Sequence, residues 1–212
     1  TFRSEGEVGV EMPLSTLTFA CNTMIAIPSG FSPEEYLSLE HENTIRHEYQ
    51  RGLVYAMAGG SDDNDELSLN LIELLRQKLR DGGCSVRSGN VKVNYAGEFF
   101  YYPDAFVTCD PRDRSDRYVK RYPKFIAEVL SPSTKKFDRT DKFEDYQQLE
   151  SLEEYVLISQ DEMRVECRRR VKDGSGERWE TVVYGAGDLV MLQSIELEVA
   201  IAELYRGVSF GR

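Results

Sequence analysis

At 212 residues, with 41% hydrophobic and 30% charged residues, the chain is long enough for one domain with a sizeable core and short for two, and its composition is neither disordered nor membrane-spanning. A net charge of −11 argues against a protein that coats nucleic acid non-specifically, since such binding rests on lysine and arginine. No apolar run approaches the roughly 18 residues of a transmembrane helix, and the apolar patch Leu17 to Pro28 follows an acidic segment where a secretory signal needs a basic one. The default expectation is a cytoplasmic protein without a membrane partner.

Residues 1–26 read as an N-terminal extension and residues 27–212 as one domain, with Met24 opening a plausible natural start. Ser32, Pro33 and Glu35 spell a helix opening, which predicts a helix from Pro33 to about Glu40. His47 to Tyr49 and Leu53 to Ala58 flank Gln50, Arg51 and Gly52 as an antiparallel hairpin, whose alternation puts Glu48 on the face opposite His47 and Tyr49. Ser61 to Asp63 cap a helix from about Asn64 to Arg80 with Leu67, Leu71, Leu74, Leu75 and Leu79 as its apolar stripe.

After Gly82 and Gly83, short strands are expected at Cys84 to Arg87, Val91 to Tyr95, Phe99 to Tyr102 and Ala105 to Cys109. Phe125 to Leu130 is apolar on both faces except at Glu128, as in a central strand covered on two sides. A helix from about Lys136 to Leu149 follows, with Asp138, Lys142 and Tyr146 four apart on one face. Strands at Glu154 to Ser159, Arg164 to Arg169, Arg178 to Tyr184 and Ile195 to Val199 read as a meander, closed by a helix at Ala200 to Tyr205.

Cys21, Cys84, Cys109 and Cys167 form no CxxC pair and are read as free, mostly buried thiols. Two histidines, His41 and His47, stand beside no nucleophile, which disfavours a hydrolase triad. Basic residues gather at Arg112, Arg114, Arg117, Lys120, Arg121 and Lys124, and again between Arg164 and Lys172; such runs suit either phosphate contacts or solvated edges.

The chemistry centres on two apolar runs that each carry one acid: Asp104 after Pro103, and Glu128. An ionised carboxylate in an apolar setting costs several kcal/mol unless paired, protonated or metal-bound. A shared divalent cation would relieve both acids, with Lys142 as the nearby amine. The competing readings are a turn-forming Asp104, a Glu128 paired with Lys142 or Lys92, a Glu48 paired with Arg46, and a solvated Lys142.

Glu48, Pro103-Asp104, Glu128 and Lys142 together resemble the PD-(D/E)XK nuclease superfamily. The segments FSPEEYL, RHEYQRGLVYAMAG, VKVNY, FYYPDAFVTCD, KFIAEVLSPSTKKFDRTDKFEDYQQL, EEYVLISQ and IAELYRGV resemble the Uma-two family of restriction-type endonucleases in bacteria, over nearly the whole chain from Ile27. The resemblance implies an α/β restriction-endonuclease-like fold with a mixed central β-sheet flanked by helices. It implies an endonuclease that hydrolyses DNA with Mg²⁺, or Mn²⁺, held by Asp104, Glu128 and Glu48, with Lys142 as the catalytic amine. The Val129 carbonyl is a further candidate ligand and Lys92 a second-tier site residue. Leu130 stands where the superfamily motif has its lysine, which has moved to Lys142, and Asn64 stands where such chains often have histidine. Restriction-type nucleases commonly act as homodimers; the rival expectation is a binding or assembly module that keeps the fold without turnover.

Overall fold

The computed structural model describes residues 26–28, 30–57, 59–174 and 176–210. Residues 1–25 of the expected 1–26 extension, Cys21 among them, and the hairpin residue Ala58 lie outside them.

The described chain opens with β1 (Ala26–Pro28) and α1 (Pro33–Glu42), whose capping box forms in full: Glu35 N donates to Ser32 Oγ, and Ser32 N donates to Glu35 Oε2. The hairpin is β2 (His47–Gln50) and β3 (Leu53–Ala56), turned by Arg51 and Gly52, both at positive φ. Ser61 caps α2 (Asp62–Lys78), and β4 (Ser85–Ser88), β5 (Lys92–Tyr95), β6 (Phe99–Tyr101) and β7 (Ala105–Thr108) follow close to the expected places. A two-residue strand, β8 (Val119–Lys120), carries too little pattern to be legible in the sequence; it precedes β9 (Pro123–Leu130).

The helix expected over Lys136 to Leu149 is broken. Thr140, at φ −115° and ψ −89°, separates α3 (Lys135–Arg139) from α4 (Asp141–Tyr146). The break does not scatter the face that matters, because Asp138 and Lys142 still meet across it.

The remaining elements are β10 (Glu154–Ser159), β11 (Arg164–Asp173), β12 (Gly176–Gly185), β13 (Leu189–Leu192), β14 (Leu197–Ala200) and α5 (Ile201–Leu204). Only the first three form the expected meander. Ile195 belongs to a 3₁₀ turn, and β14 pairs with the unforeseen β13 as a separate ribbon.

The central sheet is mixed, in the order β12-β11-β10-β9-β7-β4, with β9 and β10 parallel and the other pairs antiparallel. A second six-stranded sheet, β1-β3-β2-β6-β5-β8, lies beside it. Strand β9 shows how the layers are built. Phe125, Ala127 and Val129 pack with Leu67, Leu71 and Leu75 of α2, whereas Ile126 and Leu130 pack with Val93, Phe99 and Tyr101 of the second sheet and with Tyr146 and Leu149. Each buried leucine, isoleucine, valine or phenylalanine among them contributes roughly 1.5–3 kcal/mol. By strand alternation Glu128 shares the face of Ile126 and Leu130, so it points between the two sheets.

The free-thiol expectation fails for one pair. Cys84 and Cys109 are disulfide-bonded, because the antiparallel register Ser85↔Thr108 of β4 and β7 sets the residues just beyond it opposite each other, 4.1 Å apart at Cα. Cys167 is free and buried, and burial pushes its thiol up to about 12.

Candidate functional site

One cleft of about 770 Å³ is lined by Glu48, Asp104, Glu128, Asp138 and Lys142. Each arrives from a different element. Glu48 comes from β2, where His47 turns the other way to Glu40 and Tyr49 packs its ring tilted against Tyr36 and edge-on to Phe100. Asp104 immediately precedes β7, Glu128 sits in β9, Asp138 in α3 and Lys142 in α4.

The contacts are direct. Lys142 Nζ lies 3.1 Å from Glu48 Oε1, 3.2 Å from Glu128 Oε1 and 3.4 Å from Asp138 Oδ1. Glu48 Oε1 also accepts from Tyr102 N at 3.0 Å, and Glu128 Oε1 from the Tyr146 hydroxyl at 3.1 Å. Asp104 Oδ2 accepts from Val129 N at 2.7 Å, while Glu128 Oε2 is 3.4 Å from Asp104 N. The pairing of Glu128 with Lys142, one of the readings open in the sequence, is therefore present. Lys92 instead lies over the Tyr102 ring, and Arg46 bonds Gly89 O and Asn90 Oδ1, not Glu48.

The four carboxylates of Glu48, Asp104, Glu128 and Asp138 line the cleft with one ammonium, and Asp104, Glu128 and Lys142 are shifted by burial and by one another. Burial, opposed by the Val129 N–H and Lys142 and reinforced by Asp138 and Glu48, pushes Asp104 up to about 6. Burial likewise raises Glu128 well above the usual carboxylate range, against the pull of Lys142. Burial alone would lower the Lys142 ammonium, but Glu128, Glu48 and Asp138 outweigh it and hold the group well above its ordinary value.

The donor set is all oxygen and carries excess negative charge, which suits a hard divalent cation. Among the described residues no three acidic, histidine or cysteine groups surround a common metal position, and Lys142 pairs with both Glu48 and Glu128. The Val129 carbonyl accepts from Asn64 Nδ2 at 3.1 Å, leaving its second lone pair for other use. Tyr146, absent from the expected site residues, joins the site through Glu128, and its place four residues after Lys142 on the same face is the signal in the sequence that points to it.

The basic runs are largely neutralised. Arg112 pairs with Asp110, Arg121 with Asp116, Lys124 with Glu153, Arg164 with Glu166 and Arg169 with Glu154, while Lys120 is buried on the carbonyls of Asp113 and Asp116.

A mixed central sheet with helices on its flanks and an acid-and-lysine cleft beside it has the architecture of the restriction-endonuclease-like nucleases. A crystal structure described as "a putative nuclease belonging to DUF820", from Anabaena variabilis, superposes with a TM-score of 0.69 at 18% identity, covering 83% of this chain and 98% of that one. Residues 33–203 match the Uma2 family, described as "Putative restriction endonuclease", and the chain belongs to that family. Two relatives from Synechocystis sp., both named as uncharacterized proteins, agree: slr1290 is 38% identical over 84% of this chain and 93% of its own length, and sll1609 is 33% identical over 71% and 86%.

Proposed function

We propose that this chain is a Mg²⁺-dependent endonuclease that hydrolyses DNA phosphodiester bonds, with residues 27–212 as its nuclease domain. The observation that carries the proposal is the convergence of Glu48, Asp104, Glu128 and Lys142 on one open cleft. Asp104, Glu128 and Glu48 would hold the cation, for which Mn²⁺ could substitute. The bound cation supplies a polarised phosphoryl oxygen and a more acidic water. The chain's own groups do the rest: Val129 N–H orients Asp104, the Tyr146 hydroxyl orients Glu128, and Lys142 stabilises charge that develops on the phosphate. A cytoplasmic homodimer would let two sites cut two strands.

A second reading, a nuclease-fold binding module without turnover, is favoured by the fully ion-paired state of Lys142 and by the neutralised basic runs. Calorimetric titration with Mn²⁺ of the wild type and Asp104→Ala, alongside a cleavage panel of duplex, single-stranded and branched DNA with Lys142→Ala as control, separates the two. Micromolar binding lost in Asp104→Ala, with metal-dependent cutting lost in Lys142→Ala, supports the nuclease. Absence of both binding and cutting supports the module.

A further inference from the structure

We infer that Asp138 is a positioning residue that keeps Lys142 in the cleft when a divalent cation draws Glu48 and Glu128 away from it. The inference rests on the metal-dependent reading above and adds a competition within the site: the ammonium of Lys142 and the incoming cation claim the same two carboxylates.

Three observations carry it. First, Lys142 Nζ sits inside a three-carboxylate socket, at 3.1, 3.2 and 3.4 Å from Glu48, Glu128 and Asp138, so the protein's own cation fills the space between the acids. Like charges at such range repel strongly where water is excluded, so an external cation bound to Glu48 and Glu128 must push the ammonium toward the third acid. Second, the three acids are not equivalent. Glu48 is fixed by Tyr102 N and Glu128 by the Tyr146 hydroxyl, whereas Asp138 Oδ1 is buried, lines the cleft and has no hydrogen bond, only the longest of the three ion pairs. That oxygen has unused accepting capacity aimed at Lys142. Third, Asp138 and Lys142 share the α3–α4 segment, four residues apart, while Glu48 and Glu128 belong to the two sheets. That segment is tied to both sheets, at Asp138 O by the Tyr155 hydroxyl and at Asp145 by Gln50 and Tyr101, so the shift falls on the Lys142 side chain, toward an acid that neither sheet carries.

The test is a calorimetric double-mutant cycle for Mg²⁺ on the full chain: wild type, Asp138→Asn, Lys142→Met and the double variant, each checked for folding by circular dichroism. Removing the competing ammonium in Lys142→Met is expected to tighten Mg²⁺ binding about ten-fold or more. Asp138→Asn, which leaves Lys142 dependent on Glu48 and Glu128, is expected to weaken binding by roughly ten-fold. In the Lys142→Met background the Asp138→Asn change should have no effect. An equal weakening in both backgrounds would make Asp138 a direct ligand and overturn the inference, as would an unchanged affinity in Asp138→Asn. If Lys142→Met does not fold, the side-chain ε-carbon resonance of Lys142 in isotope-labelled wild type and in Asp138→Asn decides. Mg²⁺ should shift it in both, and a resonance that stays in place while Mg²⁺ binds refutes the competition. Failure of the wild type to bind Mg²⁺ at all removes the metal-dependent reading and this inference together, whereas binding without coupling removes only the inference.

Discussion

Lys142 Nζ and Glu128 Oε1 lie 3.2 Å apart, both side chains buried, although one belongs to a short helix and the other to the middle of a central strand. The pair is the hub of the cleft, since Glu48, Asp138 and Tyr146 each reach one of the two groups.

Removing the two halves of this pair should not cost the same. Glu128→Gln leaves Lys142 with two carboxylates, and we expect a loss of about 1–2 kcal/mol. Lys142→Met leaves several buried acids without their cation, and we expect about 3–5 kcal/mol at neutral pH. Urea denaturation followed by circular dichroism gives both values; an equal or reversed cost would contradict the hub.

Asp104, pushed up to about 6 from an ordinary 3.8, holds its proton more tightly in the folded chain than in the unfolded one. Its contribution to stability is therefore complete below about pH 4 and is lost as pH rises toward 6, by on the order of 3 kcal/mol. Metal-free protein should show this slope in its melting temperature, and Asp104→Asn should flatten it. For the same reason Mg²⁺ binding should release protons below pH 6, which calorimetry in buffers of different ionisation enthalpy would register; binding without proton release would count against Asp104 as a ligand.

Asp145 accepts from Gln50, Tyr101, Gln148 and Arg51 and so ties α4 to the second sheet, three residues beyond Lys142. Asp145→Ala strands several buried donors and is expected to cost about 3 kcal/mol. Arg51→Ala, whose guanidinium is half-exposed, should cost less than about 1 kcal/mol. Chemical denaturation of the two variants checks the order.

The Cys84–Cys109 disulfide spans 25 residues. Loop-closure entropy for that span gives about 3.5 kcal/mol of stabilisation, so Cys84→Ser with Cys109→Ser should lower the unfolding free energy by a similar amount. Thiol titration in denaturant should find two fewer reactive thiols before reduction than after it; an unchanged count would show that the bond does not form.

Much of the local architecture was legible. The Ser32 capping box, the Arg51-Gly52 turn, the leucine stripe of α2 and the doubly apolar β9 are written in short-range patterns, and each element lies within a few residues of its expected bounds. What failed were features decided by distant partners. The helix break at Thr140, the two-residue β8, the second sheet, and the β13–β14 ribbon arise from packing and register that no local window contains. In the basic runs Lys124 and Arg169 find their acidic partners far along the chain, at Glu153 and Glu154, whereas Arg112, Arg121 and Arg164 pair with acids no more than five residues away that the sequence already placed beside them.

For the cleft the division is similar. An acid inside an apolar strand announces itself in sequence, since burying it alone is costly, and that cost singled out Glu128 and, with the Pro103-Asp104 pair and the family resemblance, Asp104, Glu48 and Lys142. Which groups discharge the cost was settled only by the tertiary structure. It set Lys142 among Glu48, Glu128 and Asp138, gave Tyr146 to Glu128, and joined Cys84 to Cys109. Composition and periodicity act over a few residues, whereas charge pairing and cross-linking depend on distances in space, and those exist only once the strands have found their neighbours.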